Sequence, residues 1–220
     1  MKYKTLILFF VLNLSLCCFS SELIKQPDEY SCAPACSYNL IKKLCPNCDN
    51  NIQYLIKLEK TNKKGTTAYN LCNGINKYFR TQNKNVNIEY YGVKKVRKYK
   101  ISSDINFEKL KNNLNQNTQV IINIGVYTKN KDGSYTRQYG HYVNLDSIDN
   151  NTITVFDPYD KKNELTVWKT KFVSDVNLKN INDNEKYTKT NNAYIIENGI
   201  NYIEPNETAF INGIIIVKNY

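Results

Sequence analysis

Histidine is nearly absent. The 220 residues hold a single one, His141. That excludes a site built on several imidazoles, and any chemistry that needs an imidazole has to use this one. Proline and glycine are sparse, at five and eight. There is no Gly-, Pro- or Ser-rich linker and no internal repeat, so nothing divides the chain, and one domain with a sizeable core is expected. Beyond the first twenty residues no stretch is apolar and long enough to span a bilayer. No nucleic-acid-binding motif is present, and nothing calls for a metal or another cofactor.

What is there is mostly ordinary. Hydrophobic residues make up 41% and charged residues 23%, as in typical globular proteins. Asn, Lys, Ile and Tyr are heavily used, which an AT-rich genome explains without a functional cause. Trp168 and the tyrosines read as packing residues rather than a binding platform. The formal charge is +10. Apart from the Lys94–Lys100 cluster the lysines are scattered, so the charge reads as a solvated exterior.

The N-terminus reads as an export signal spanning residues 1–20. Lys2 and Lys4 precede an apolar run from Leu6 to Leu16, and small residues follow at Cys17, Cys18, Ser20 and Ser21. The run is too short for a membrane span, and cleavage after Ser20 leaves Cys18 and Ser20 at the recognised positions. A lipoprotein anchored through Cys17 or Cys18 is the competing reading, and Leu16 fits it poorly. Removal of Lys2 and Lys4 takes the charge from +10 to +8. The expected mature chain, residues 21–220, is then secreted, periplasmic or held at the cell surface.

Five cysteines stay in that mature chain: Cys32, Cys36, Cys45, Cys48 and Cys72. An odd count in an oxidising compartment fits one free thiol and two disulfides. With Cys32 free, three pairings of Cys36, Cys45, Cys48 and Cys72 stay open. Cys45-Pro46-Asn47-Cys48 also has the spacing of half a zinc site, but no second pair and no spare histidine complete it. Cys36, one turn after Cys32, reads equally as a small buried residue.

Along the chain the period of the apolar residues changes once. Helices are expected over Cys32–Leu44 behind a Ser31 cap, over Asn51–Lys60, and from Thr66 or Thr67 to Arg80. Strands are expected at Val86–Tyr90, Thr118–Thr128, Glu164–Phe172, Ala193–Ile203 and Phe210–Val217, with a short helix over Phe107–Asn115. His141–Ile148 and Thr152–Phe156 read as a hairpin turning at 149–151. Asn177–Asn192 reads as a polar, mobile stretch. The fold class expected is α+β, with a helical N-terminal part packed on an antiparallel sheet.

Two stretches carry chemistry. In Gln26-Pro27-Asp28-Glu29-Tyr30-Ser31-Cys32-Ala33-Pro34-Ala35-Cys36, a polar loop delivers a cysteine to a helix start, where the positive end of the helix favours thiolate. Gln26, six residues upstream, offers an amide N–H to a developing oxyanion. In the other stretch the hairpin places His141 at the start of one strand and Asp157 at the end of its antiparallel partner. One ring nitrogen can then bond the carboxylate while the other faces the thiol. Each residue alone has a bland reading: a structural cysteine, a strand histidine, an Asp-Pro turn. Their joint order favours a thiol hydrolase.

These residues resemble the papain-like cysteine peptidases related to bacteriocin-processing, double-glycine-leader peptidases. The matching pieces are Gln26, Asp28, the Cys32-Ala33-Pro34-Ala35 run, His141 and Asp157-Pro158. Glycine often follows the nucleophile in that group, and Ala33 stands here. The resemblance implies a papain-like cysteine proteinase fold, with a helical N-terminal lobe packed on an antiparallel β-sheet lobe. It implies Cys32 as nucleophile, His141 as general base and acid, Asp157 as the orienting residue and Gln26 as an oxyanion donor. A peptide or protein is the implied substrate; a double-glycine leader is not. An amidase or acyl transferase on cell-wall peptides would use the same residues. A non-catalytic, disulfide-stabilised surface binding protein is the reading outside enzymology.

Overall fold

The helices of the computed structural model follow the capping and spacing signals closely. The structure describes residues 23–219, apart from 94–98, 103–104, 113, 161, 181–187 and 191–192. The expected signal at 1–20 and most of the Lys94–Lys100 cluster lie outside the described residues. Helix α1 runs from Cys32 to Leu44. Pro34 falls in its first turn, where a missing N–H is tolerated. Ala33, Ala35, Cys36, Leu40 and Ile41 are fully buried, so this helix is covered on most sides. Helix α2 (Ile52–Leu58) is capped by Asn51, whose side chain accepts from the Gln53 and Tyr54 amides. Helix α3 (Ala68–Thr81) is capped by Thr67, which accepts from Asn70 N–H. Leu55, Leu71, Ile75, Tyr78 and Phe79 bury these helices against α1 in one cluster.

Ser31 occupies the expected cap position of α1, but its hydroxyl makes no capping bond. It donates instead to Asp28 Oδ1 at 2.7 Å, because a carboxylate is the stronger acceptor. The disulfide expectation also needs correction. Cys45 is bonded to Cys48, and Cys32, Cys36 and Cys72 are free and buried. There is one disulfide among the described residues, not two, and it consumes the pair that had zinc-site spacing.

The remainder is a large, mostly antiparallel sheet. Strands β3 (Thr118–Lys129), β4 (Tyr135–Asp149), β5 (Thr152–Phe156), β6 (Leu165–Val173), β9 (Ala193–Asn198) and β10 (Glu207–Asn219) pair in sequence, and β10 returns to pair with β3. They close a ring, which removes exposed strand edges. Strands β1 (Val86–Gly92) and β2 (Lys100–Ser102) extend from β10, and β7 (Val176–Lys179) and β8 (Thr188–Thr190) extend from β4. Every ring strand sends residues to one buried cluster, among them Ile122, Val143, Val155, Trp168, Ile196 and Ile214. Phe107 and Leu110 of the short helix α4 (Phe107–Lys111) belong to it. The alternate residues Ile121, Tyr142, Ile215 and Val217 join the helical cluster. Strands β3 and β10 are thus buried on both faces, which is why they read as continuous apolar runs.

The α+β class stands as expected: a small helical part and a large antiparallel sheet. Several boundaries differ: α4 ends at Lys111, short of the expected Asn115, and β10 runs Glu207–Asn219 where Phe210–Val217 was expected. Strand β4 begins at Tyr135, six residues before His141, because it continues its pairing with β3 after β5 has ended. Strand β9 stops at Asn198, where Gly199 turns the chain with φ of +109°. The polar stretch 177–192 holds β8 and all of β7 but its first residue, Val176, the two strands paired to each other; its residues 181–187 and 191–192 lie outside the described set.

Candidate active site

Cys32 is the first residue of α1 and is 7% exposed. Backbone amides at that end of a helix point outward with partial positive charge, which suits a thiolate. His141 lies within β4, opposite Ile124 of β3, rather than at a strand start. Asp157 is the first residue after β5. The β4–β5 pairing ends at Asn144 and Phe156, so both residues lie just past the paired region, on adjacent strands. The imidazole and carboxylate meet: His141 Nε2 and Asp157 Oδ1 are 2.6 Å apart. The other nitrogen, Nδ1, is the one left for the sulfur, and the Cys32 charge is among the influences that raise the pKa of the ring.

Asp157 is held from several sides. Oδ1 also accepts from the Tyr159 amide at 2.9 Å, and Oδ2 accepts from the Tyr202 hydroxyl at 2.8 Å. Burial alone pushes this carboxyl's pKa up. The charge of His141 and the hydrogen bonds from His141, Tyr159 N–H and Tyr202 reverse that, and the net pKa is lowered. For His141 burial alone pulls the other way, toward the neutral ring. The Asp157 charge, the Cys32 charge and the bond to Asp157 outweigh it and bring the imidazole pKa up to about 10. At neutral pH the favoured form of the ring is therefore imidazolium.

The two elements that carry Cys32 and His141 are tied together by buried amides. Asn144 Nδ2 donates to the Cys36 carbonyl at 2.9 Å, and Asn39 Nδ2 donates to Asn144 Oδ1 at 3.3 Å. Asn39 also clamps the incoming chain, accepting from Ile24 N–H at 2.8 Å and donating to Ile24 O at 3.1 Å. Lys43 and Asp146 form an ion pair at 3.2 Å across the same junction.

Gln26 is brought to the site by its backbone: its N–H donates to Pro158 O at 3.0 Å. One side-chain N–H is spent on Asp28 O at 2.7 Å, which leaves the other for a second acceptor. A groove of about 400 Å³ opens between these two segments, with Gln26, Asp28, Glu29, Pro158 and Tyr159 in its wall. The thiols of Cys36 and Cys72 take no part in this arrangement. Burial pushes both thiols well up, and a buried thiol of that kind is inert.

Gln26, Cys32, His141 and Asp157 thus come from four separate segments, and the last two are in direct contact. The sequence reading missed Asn144, Asn39 and Tyr202. Asn144 had a legible signal, a lone amide inside the apolar Val143–Leu145 run. Tyr202 had none, as one of 18 tyrosines.

A sequence model of the Peptidase_C39 like family matches residues 20–195, most of the chain, including all four of these residues. Among solved structures, one that is similar is the peptidase domain of Streptococcus ComA, a bi-functional ABC transporter involved in a quorum-sensing pathway. It is 23% identical, covers 67% of this chain and 85% of its own, and superposes with a TM-score of 0.42. No match was found among the curated proteins.

Proposed function

The chain belongs to the Peptidase_C39 like family and is a cysteine peptidase, and from that premise we propose that Cys32 is its nucleophile, with His141, Asp157 and Gln26 in supporting roles. The observation that carries the reading is the buried 2.6 Å contact of His141 Nε2 with Asp157 Oδ1. It fixes the ring so that Nδ1 is the free nitrogen. In the proposed cycle the Cys32 thiolate attacks the scissile carbonyl carbon, and the C=O electron pair moves onto oxygen. The second N–H of Gln26 Nε2 and the Cys32 backbone N–H hold that oxyanion. Collapse breaks the C–N bond as His141 Nδ1–H gives its proton to the leaving amine. Neutral His141 then takes a proton from water, hydroxide attacks the thioester, and the acid product leaves as thiolate and imidazolium are restored.

The site is proposed to lie in a papain-like cleft between the helical part and the sheet. We further propose residues 21–220 as the peptidase domain and residues 1–20 as an export signal, which makes the substrates peptides or proteins outside the cytoplasm. The basic start, short apolar run and small residues after it support the export reading. N-terminal sequencing of the protein recovered from culture tests it, and an intact Met1 end would refute it.

The site reading is tested with iodoacetamide at neutral pH. Mass spectrometry is expected to find Cys32 carboxamidomethylated ahead of Cys36 and Cys72. Cys32→Ala is expected to lose hydrolysis of a denatured-protein substrate while keeping its unfolding transition. Preferential labelling elsewhere, or hydrolysis surviving in Cys32→Ala, would overturn it.

A further inference from the structure

We infer that Tyr202 is a positioning residue for the reaction: its hydroxyl holds the Asp157 carboxylate in the orientation that keeps Oδ1 on His141. This rests on the roles proposed above for Cys32, His141 and Asp157.

A carboxylate pinned through one oxygen still rotates about its last bond. Oδ1 of Asp157 is shared by His141 and the Tyr159 amide. Oδ2 is held by the Tyr202 hydroxyl, and Asp157 is only 2% exposed, so solvent has little access to replace that donor. Among the described residues no other hydrogen bond to Oδ2 is formed. A buried charge that loses one of its bonds carries a larger penalty than a solvated one, and it turns toward whatever water it can reach. The Tyr202 proton is secure: burial first, and the Asp157 charge second, push its phenol pKa well up. The hydroxyl therefore stays a donor across the working pH range.

The ring has a second part in the same task. It stands edge-on to His141 at 5.8 Å and to Tyr159 at 5.1 Å, while His141 and Tyr159 are themselves edge-on at 6.2 Å. These edge contacts fix the orientation of the Tyr202 ring beside His141, next to a carboxylate that is itself buried. The segment that presents Tyr202 is constrained on both sides. Gly199 turns it with φ of +109°, and a Cβ there would fall 2.5 Å from Trp168 Cδ1. The Glu207 N–H and carboxylate bond the Glu204 O and N–H in return, at 2.9 and 3.0 Å. Register places this β9–β10 connection at the same rim of the ring as the β5–β6 connection that holds Asp157. Tyr202 also lies beyond residue 195, where the family match stops, so that match does not assign it.

Tyr202→Phe keeps the ring and removes the bond. The readout is the pH dependence of Cys32 alkylation by iodoacetate, whose negative charge makes the rate fall once the imidazolium loses its proton, and which needs no known substrate. With Asp157 loosened the imidazolium loses support. The alkaline limb is expected to move to lower pH by about one unit, and peptide hydrolysis to fall roughly tenfold, the scale of one hydrogen bond to a charge. In an Asp157→Asn background Tyr202→Phe is expected to have no further effect, because it acts only through that carboxylate. A profile superimposable on the wild type, one displaced upward, or a loss that adds in full to Asp157→Asn would overturn the inference alone. Wild-type protein not labelled at Cys32 would overturn the site reading, and the inference with it.

Discussion

Asn144 and Cys36, 108 residues apart in the chain, are joined by one buried hydrogen bond of 2.9 Å from amide to carbonyl. Cys36 lies one helical turn after Cys32, and Asn144 lies three residues after His141. The bond therefore sets the distance between the helix that carries the thiol and the strand that carries the imidazole. Asn144→Ala removes it and takes from Asn39 Nδ2 one of its two acceptors, leaving Ile24 O. The expected cost is about 1–3 kcal/mol, read as a fall of roughly 2–4 °C in Tm per kcal/mol in thermal unfolding. Hydrolysis is expected to fall by more than that loss of stability explains; unchanged kcat/KM at a temperature well below Tm would show that the junction does not set the site.

Asp157→Asn tests the carboxylate directly. Asn keeps the shape and removes the charge that supports the imidazolium, and its amide N–H competes with the ring as a donor. The expected loss is at least about a hundredfold in kcat/KM, carried mainly by kcat, in steady-state hydrolysis of a peptide substrate. A KM effect with intact kcat would assign Asp157 to substrate binding instead.

The pH dependence follows from the same pair. The folded imidazole is pushed up to about 10 from an ordinary value of 6.5, so its contribution to stability is full below about pH 6.5 and is lost as pH rises toward 10. Asp157 is shifted down, so its contribution is present above the ordinary carboxylate range and is lost as pH falls through its lowered value. Chemical denaturation from pH 4 to 10 is expected to show His141→Ala losing less stability than the wild type over the alkaline part. Parallel curves would place the titration of His141 near that of a free imidazole.

Glu59 supplies an independent test of the interior. It caps the C-terminal end of α2, is fully buried, and packs on Gly74, whose added Cβ would meet Glu59 Cγ at 2.3 Å. No basic partner faces it among the described residues, and burial holds its pKa well above 4.5. The folded state keeps a proton that the unfolded chain releases, so stability falls as pH rises above 4.5. Glu59→Gln removes that dependence. The variant is expected to gain on the wild type by about 1.4 kcal/mol per pH unit until the folded carboxyl itself titrates, measured by urea denaturation at pH 5, 6 and 7. A constant difference across those values would mean that Glu59 is ionised in place.

Much of this was legible in the residues, for identifiable reasons. The limits of α1 came directly from a Ser31 start and apolar spacing through Leu44, and α3 from its Thr67 cap. Local signals of that kind act over a few residues. His141 and Asp157 were also readable, through the Asp149–Asn151 turn that folds β4 on β5. The closed ring was not, because β10 meeting β3 is a pairing across about ninety residues that no local pattern encodes. The Ser31 hydroxyl was misread because Asp28 competes for it, and the second disulfide because Cys36 and Cys72 look like any other cysteines until their burial is known. Tyr202 reaches Asp157 only through the Gly199 turn, a long-range contact invisible in a tyrosine-rich chain.

Strand β10 has three neighbours, β1, β3 and β9, and a ribosome delivers it after every other strand described. Until Glu207–Asn219 has emerged, β1, β3 and β9 lack their common partner, and the ring stays open. A nascent chain therefore lacks the finished scaffold while it is being made. A polypeptide stopped short of Glu207 is expected to be digested readily by trypsin, in contrast to the full-length protein.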